Sequence, residues 1–379
     1  MFAHFGHHLM TALPVPLLPF IRDDFNLDYT QAGFVISSFT LAYGIGQLPA
    51  GWLADRVGPR ILVTIGICGV ALAGFLVGLS QSYIMMIFFL ALMGVLGGGY
   101  HPASPPLITA SVEPKNRGRA LGLHMVGSNT SYFLAPLIAA AIAVTWGWRG
   151  SFIILAMPTM VFGVLFYVIL GKLTGVKGTE PKITSSYHDK TPAPRKLPRL
   201  VAFIILNIFA GAVAFSMISF IPLFVVDQFG FSREAGAVFV AVFFFTGIWA
   251  SPLGGYLSDR LGRMPVVLTA CLFAGPAVYL LGLVPHGLGV GFVLVFIGMT
   301  AYVRMPVSEA YIVSNTSTRH RSSILGIYYF GNMEGMGVIT PVIGYLLDKF
   351  GFYTGFTIIG AALMAVTLLC SIWLWGSRD

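Results

Sequence analysis

The chain has 379 residues, of which 56% are hydrophobic and only 9% charged, with a formal net charge of +8. Soluble domains carry roughly 25% charged residues, so the composition excludes a soluble globular protein and points to a polytopic membrane protein. The three cysteines, Cys68, Cys271 and Cys370, each lie in an apolar run. That excludes a disulfide framework and a cysteine zinc site.

Hydropathy predicts twelve helical spans at 2–21, 30–50, 61–79, 82–108, 120–145, 151–170, 199–222, 234–253, 265–284, 289–313, 323–347 and 353–375. A barrel strand would instead alternate over about 10 residues, and only helices or closed barrels satisfy the backbone in lipid. The first span lacks a basic start and a small-residue cleavage site, so it reads as a span and not as a signal peptide. It carries His4, His7 and His8, with His4, His8 and Thr11 on one helical face. Histidine titrates near neutral pH, so the sharp reading is a cavity-lining group for a proton or a solute. The alternative places these rings at the cytoplasmic interface. The pair at i and i+4 could touch a metal ion, but no carboxylate or cysteine partner is evident. No metal and no cofactor are expected.

The second span ends in the turn Gly51-Trp52-Leu53-Ala54-Asp55-Arg56-Val57-Gly58-Pro59-Arg60, which recurs as Gly255-Tyr256-Leu257-Ser258-Asp259-Arg260-Leu261-Gly262-Arg263-Met264. Asp55 and Asp259 are 204 residues apart, and so are Pro102 and Pro306, Arg117 and Arg321, and Gly127 and Gly331. Earlier in the chain the offset slips by one, as for Gly33 and Gly236. Such self-similarity is the mark of a duplicated architecture. Each copy of the turn follows an even number of spans, so the halves are parallel repeats.

The fourth span closes on Tyr100-His101-Pro102-Ala103-Ser104. Pro102, Pro105 and Pro106 interrupt the helix and free backbone carbonyls, and irregular backbone at membrane depth is tolerated where it lines a cavity. His101 is therefore a candidate for binding or coupling, with His124 of the fifth span beside it. The alternative is a histidine satisfied by the freed carbonyls. Residues 171–198 are polar and contain Pro181, Pro192, Pro194 and Pro198. They read as a cytoplasmic linker between a first half at 1–170 and a second half at 199–379.

The second half places Arg304, Glu309, Asn332 and Glu334 within spans. Ionisable groups at membrane depth are costly and point to function. Arg304 stays charged, so it must meet water, a carboxylate such as Glu334, or an anionic solute. Glu309 and Glu334 are the candidates to carry a proton. Seventeen Lys and Arg residues fall in one set of loops and four in the other, which makes the first set and both termini cytoplasmic. The net charge is thus a topology signal, and nucleic acid is not an expected partner.

Six plus six spans, parallel halves, a basic central loop and the doubled D-R-x-G turn resemble the major facilitator superfamily over the whole chain. The Tyr100–Ser104 motif and the His4-Phe5 pair resemble its fosmidomycin-resistance branch. The resemblance implies alternating access around a central cavity. It also implies a conformational latch at Gly51, Asp55, Arg56, Gly58 and Arg60 and at Gly255, Asp259, Arg260, Gly262 and Arg263. Asp55 is expected near the N-terminus of the third span, where backbone N–H groups favour a carboxylate. Pro59 departs from the family, which usually has a basic residue there. Antiporters of the family show G-x8-G-x3-G-P-x2-G-G in the fifth span; here Gly122 and Pro136 survive, with Ser131, Ala135, Ala139 and Ala140 elsewhere. The R-x-x-Q-G of drug/proton antiporters is replaced by Leu90, Met93 and Gly94. The expectation is a monomeric, inner-membrane, proton-coupled transporter of a small organic solute, with lipid and protons as its other partners. Export is favoured, and uptake of an organic anion is the alternative. An intramembrane enzyme would need a nucleophile–base pair or an H-E-x-x-H motif, and neither is present. A membrane sensor would need a signalling domain.

Overall fold

The computed structural model describes residues 1–113, 116–174, 197–285, 287–316 and 321–374. Among these the ordered elements are helices, and no strand occurs. They are α1 (Phe2–Thr11), α2 (Pro14–Phe25), α3 (Tyr29–Val57), α4 (Pro59–Gly78), α5 (Tyr83–Gly98), α6 (Tyr100–Ala110), α7 (Arg117–Thr174), α8 (Leu197–Phe229), α9 (Arg233–Leu261), α10 (Arg263–Leu281), α11 (Gly287–Ser314) and α12 (Arg321–Leu374). Among the described residues, eight helices are long and apolar enough to cross a membrane. Leu288 and Phe292 are almost fully exposed apolar side chains, as a lipid-facing surface requires.

Two predicted spans are each broken. The first divides at Ala12 and Leu13, because Pro14 opens α2 and lacks the N–H that would continue α1. The fourth divides at Gly99, where Pro102 in the first turn of α6 likewise cannot donate back. Conversely, spans five and six run through α7 and spans eleven and twelve through α12. Each pair is separated only by one glycine with positive φ, Gly147 at 70° and Gly351 at 74°. A side chain would be strained there. Gly147 and Gly351 are again 204 residues apart, as are Gly58 (φ 88°) and Gly262 (φ 87°). The duplication is therefore written in backbone geometry as well as in sequence.

The expected place of Asp55 is corrected. α3 continues to Val57, so Asp55 lies in the last turn of α3 and not on the helix that follows. The side chains of Gly51 and Asp55 are outside the described residues. So are residues 175–196 of the expected linker; α7 extends to Thr174 and α8 begins at Leu197.

The chain divides into two compact units. The first comprises Met1–Leu27, Phe34–Ser185 and Ser232–Ala241, and the second Asp28–Gly33, Ser186–Phe231 and Val242–Asp379. In the first unit α1 packs on α4 and α7, and α4 on α5 and α6. Ala3, Ala50, Leu62, Val63, Ile67, Tyr100 and Ala103 form an apolar core there. In the second unit α8 packs on α11 and α12, and α10 on the same two helices.

Candidate functional site

The first unit gathers five histidines. Their spacing puts His4 and His8 one turn apart on α1, and packing brings His101 of α6 and His124 of α7 against them. His4 stacks on His124 with ring centroids 3.9 Å apart, and the His101 ring lies 5.3 Å from both His4 and His8. His4, His7, His8 and His124 are buried.

The hydrogen bonds fix part of the protonation. A carbonyl only accepts, so His4 Nδ1–H donates to the His124 carbonyl at 3.0 Å, and the Nε2 of a neutral His4 is a bare lone pair. That Nε2 lies 3.1 Å from the Nε2 of His8, whose Nδ1 meets the Thr11 hydroxyl at 3.1 Å. His7 is committed on both sides, to the Gly66 carbonyl at 2.9 Å and the Tyr43 hydroxyl at 3.1 Å. His124 Nε2 faces Ser104 Oγ at 3.4 Å. The Tyr100 ring stacks on His7 at 4.4 Å, and its buried hydroxyl has no hydrogen-bond partner among the described residues. Tyr100, Ser104 and His124 also line a cavity of about 390 Å³.

The second unit holds a different cluster in the equivalent place. Arg304 of α11 is 3% exposed. Its Nη1 donates to the backbone carbonyl of Asn207 at 2.9 Å and to the Asn207 Oδ1 at 2.8 Å. Ser308 donates to the same Oδ1, and Asn207 Nδ2 donates to the Phe203 carbonyl at 2.8 Å. Tyr328 of α12 is within hydrogen-bonding reach of Arg304 and Asn332. Among the described residues no carboxylate forms an ion pair with Arg304. The pairing with Glu334 that the sequence allowed is thus not made in this structure. One carboxyl oxygen of Glu334 is buried with no partner among the described residues, and Glu309 is within hydrogen-bonding reach of Tyr329.

The two clusters are related by the repeat. Tyr100 and Arg304, Ser104 and Ser308, and His124 and Tyr328 are each 204 residues apart. His4 and Asn207 are 203 apart, the same slipped offset as Gly33 and Gly236. The equivalent positions therefore carry two imidazoles, a phenol and a serine in one unit (His4, His124, Tyr100, Ser104) and an amide, a phenol, a guanidinium and a serine in the other (Asn207, Tyr328, Arg304, Ser308). Sequence reasoning missed Asn207, Tyr43 and Ser308. Asn207 had a signal: it is the one amide in the apolar run 199–222.

The arginines of the charged turns find partners within their own units. Arg60 donates to the Tyr167 carbonyl at 3.1 Å from Nε and 2.7 Å from Nη2, while stacking on that ring. Arg56 stacks on Trp52 and Arg260 on Tyr256. Arg263 Nη1 donates to Ser314 Oγ at 2.6 Å and to the Ala310 carbonyl at 3.3 Å. Asp259 is exposed. A Cβ at Gly58 or Gly255 would meet nothing within 4 Å, so the demand for glycine at Gly58 comes from its positive φ and not from close approach.

Comparison with known proteins places this architecture. The Major Facilitator Superfamily matches residues 1–333 and 232–379. The chain is 24% identical to the hexuronate transporter of Bacillus subtilis, over 93% of this chain and 88% of that one. It is 24% identical to the fosmidomycin resistance protein of Escherichia coli, over 91% of this chain and 84% of that one. The fold matches the crystal structure of a POT peptide transporter in complex with sulfate, with a TM-score of 0.81 and 15% identity, over 98% of this chain and 92% of that one. The chain is a member of the Major Facilitator Superfamily, a multi-pass membrane transporter and not an enzyme.

Proposed function

We propose that this protein is a secondary active transporter of a small organic anion, coupled to protons and working by alternating access. The carrying observation is Arg304, a buried guanidinium held by neutral groups and, among the described residues, paired with no carboxylate. A buried charge left without a countercharge costs several kcal/mol. The solute's own carboxylate, phosphate or sulfonate supplies that countercharge and draws much of its affinity from it. Asn207, Ser308, Tyr328 and Asn332 orient the guanidinium for this task. The similarity to a hexuronate transporter, whose solute bears a carboxylate, supports the same reading.

Glu334 carries the coupling proton, with Glu309 as the second candidate. Its buried, unpartnered oxygen can cross the membrane region as the neutral acid. Export is the direction favoured by the similarity to the fosmidomycin resistance protein. Uptake is the second reading, favoured by Arg304, because protons moving inward with an anion drive it against an inside-negative potential. Residues 1–170 and 199–379 act as the two moving halves, joined by a cytoplasmic linker. The D-R-x-G turns act as the latch of the cycle, in a monomer of the inner membrane with both termini cytoplasmic.

Counterflow in proteoliposomes against a panel of sugar acids and dicarboxylates tests this. Exchange of one organic acid, lost in Arg304→Ala protein that still inserts and purifies, is the expected result. Counterflow of neutral or cationic solutes only would overturn it.

A further inference from the structure

We propose that His4, His8 and His101 form a binding site for a divalent transition-metal ion of the zinc class. One ligand nitrogen from each of the three lies within 4.8 Å of the other two. The Nε2 atoms of His4 and His8 are 3.1 Å apart. Two imidazole nitrogens on a tetrahedral ion at about 2.0–2.1 Å stand about 3.3 Å apart, so this pair needs only a small adjustment to share one ion.

The remaining nitrogens are arranged as metal sites arrange them. A metal-bound histidine usually donates its second ring N–H to an oxygen, which fixes the tautomer and the ring orientation. His4 Nδ1 already does so to the His124 carbonyl. His8 Nδ1 does so to Thr11 Oγ1 once the ring changes tautomer, its proton moving from Nε2 to Nδ1 and leaving the Nε2 lone pair for the ion. Among the described residues neither nitrogen of His101 has a hydrogen-bond partner. His7 stays outside the ligand set because both its ring nitrogens are engaged, by Gly66 and Tyr43, and His124 is outside the group of converging nitrogens, its Nε2 facing Ser104. The buried, unpartnered Tyr100 hydroxyl belongs to a ring 5.5 Å from that of His4.

The donor set selects the ion. Three imidazoles and no carboxylate suit zinc, cobalt, nickel or copper, and not magnesium or calcium. Three neutral ligands leave both charges of the ion uncompensated in a buried place. The fourth position therefore takes an anion, hydroxide or a small carboxylate. The expectation of no metal rested on the two α1 histidines alone; the third ligand comes from α6, about ninety residues on.

The test uses the full chain, purified in detergent with an affinity tag free of histidine, stripped with a chelator and titrated with Co²⁺. It needs no transported solute, so it stands or falls separately from the anion reading. The expected result is one equivalent of Co²⁺ with the intense visible bands of a four-coordinate ion. His8→Ala and His101→Gln should each weaken binding more than tenfold, and Thr11→Val at least tenfold. Replacing the three histidines outside the described residues together, His188→Gln, His286→Gln and His320→Gln, should leave binding in place. Size-exclusion and melting profiles show which variants are folded. If His8→Ala does not fold, His101→Gln and Thr11→Val carry the result. No saturable one-to-one binding, a weak six-coordinate spectrum, or undiminished binding in folded His101→Gln protein would overturn the site.

Discussion

Asn207 holds Arg304 from two sides, accepting from the same Nη1 with its backbone carbonyl and its side-chain Oδ1 at 2.9 and 2.8 Å. Its own Nδ2 is tied to Phe203, so the amide cannot flip without losing three bonds. The guanidinium is thereby oriented but not neutralised, which suits a receptor for a diffusible anion better than a structural ion pair does.

Asn207→Asp tests that distinction. The new carboxylate would sit 2.8 Å from Nη1, where Oδ1 is now, and would compete with the solute as an internal anion. The protein should insert and melt as the unsubstituted chain does or higher, while transport falls at least tenfold, which corresponds to about 1.4 kcal/mol of lost affinity. Transport rates in proteoliposomes with a melting curve on the same preparation check this. Normal transport would mean that Arg304 is structural.

Gly211→Ala tests the packing of the same cluster. A Cβ at Gly211 would lie 2.5 Å from Asn332 Oδ1 and 3.2 Å from Arg304 Nη2. Asn332 must shift, and the guanidinium with it. KM should rise several-fold while the amount of protein in the membrane stays unchanged, since the side chain added is small. Kinetics of initial uptake give the reading.

Glu334→Gln should uncouple transport from the pH gradient while leaving exchange intact, because glutamine keeps the shape and loses the proton. Glu309→Gln should weaken coupling less, as its carboxyl is already engaged by Tyr329. Accumulation against a gradient, compared with counterflow, separates the two effects. If both variants still accumulate solute, the proton is carried elsewhere.

If the D-R-x-G turn is the latch proposed above, Asp55→Asn should slow turnover several-fold without lowering expression. Asp259→Asn should have a smaller effect, since the second copy has Arg263 bound to Ser314 and Ala310. Turnover at saturating solute with a membrane immunoblot measures both.

Much of this was legible in the sequence, for physical reasons. The long apolar runs set the helices, and the 204-residue offset marked the repeat that Gly58 and Gly262, and Gly147 and Gly351, confirm in their dihedrals. The break of the first span at Pro14 was misread, because hydropathy scores length and not missing N–H donors. Asp55 was assigned to the wrong helix, since α3 continues until glycine at position 58 adopts positive φ. Arg304 was visible as a costly charge. Its partner Asn207 was not, because a contact between residues 97 apart has no local pattern. The meeting of His101 with His4 and His8 was hidden for the same reason.

The most direct measurement is equilibrium binding of a small organic acid to the purified protein and to its Arg304→Lys variant. The account predicts saturable binding of a sugar acid or dicarboxylate, weakened at least tenfold by lysine, which keeps the charge but loses the planar fork that grips a carboxylate. Equal affinity in the two proteins, or binding of neutral analogues as tight as that of the acid, would contradict it.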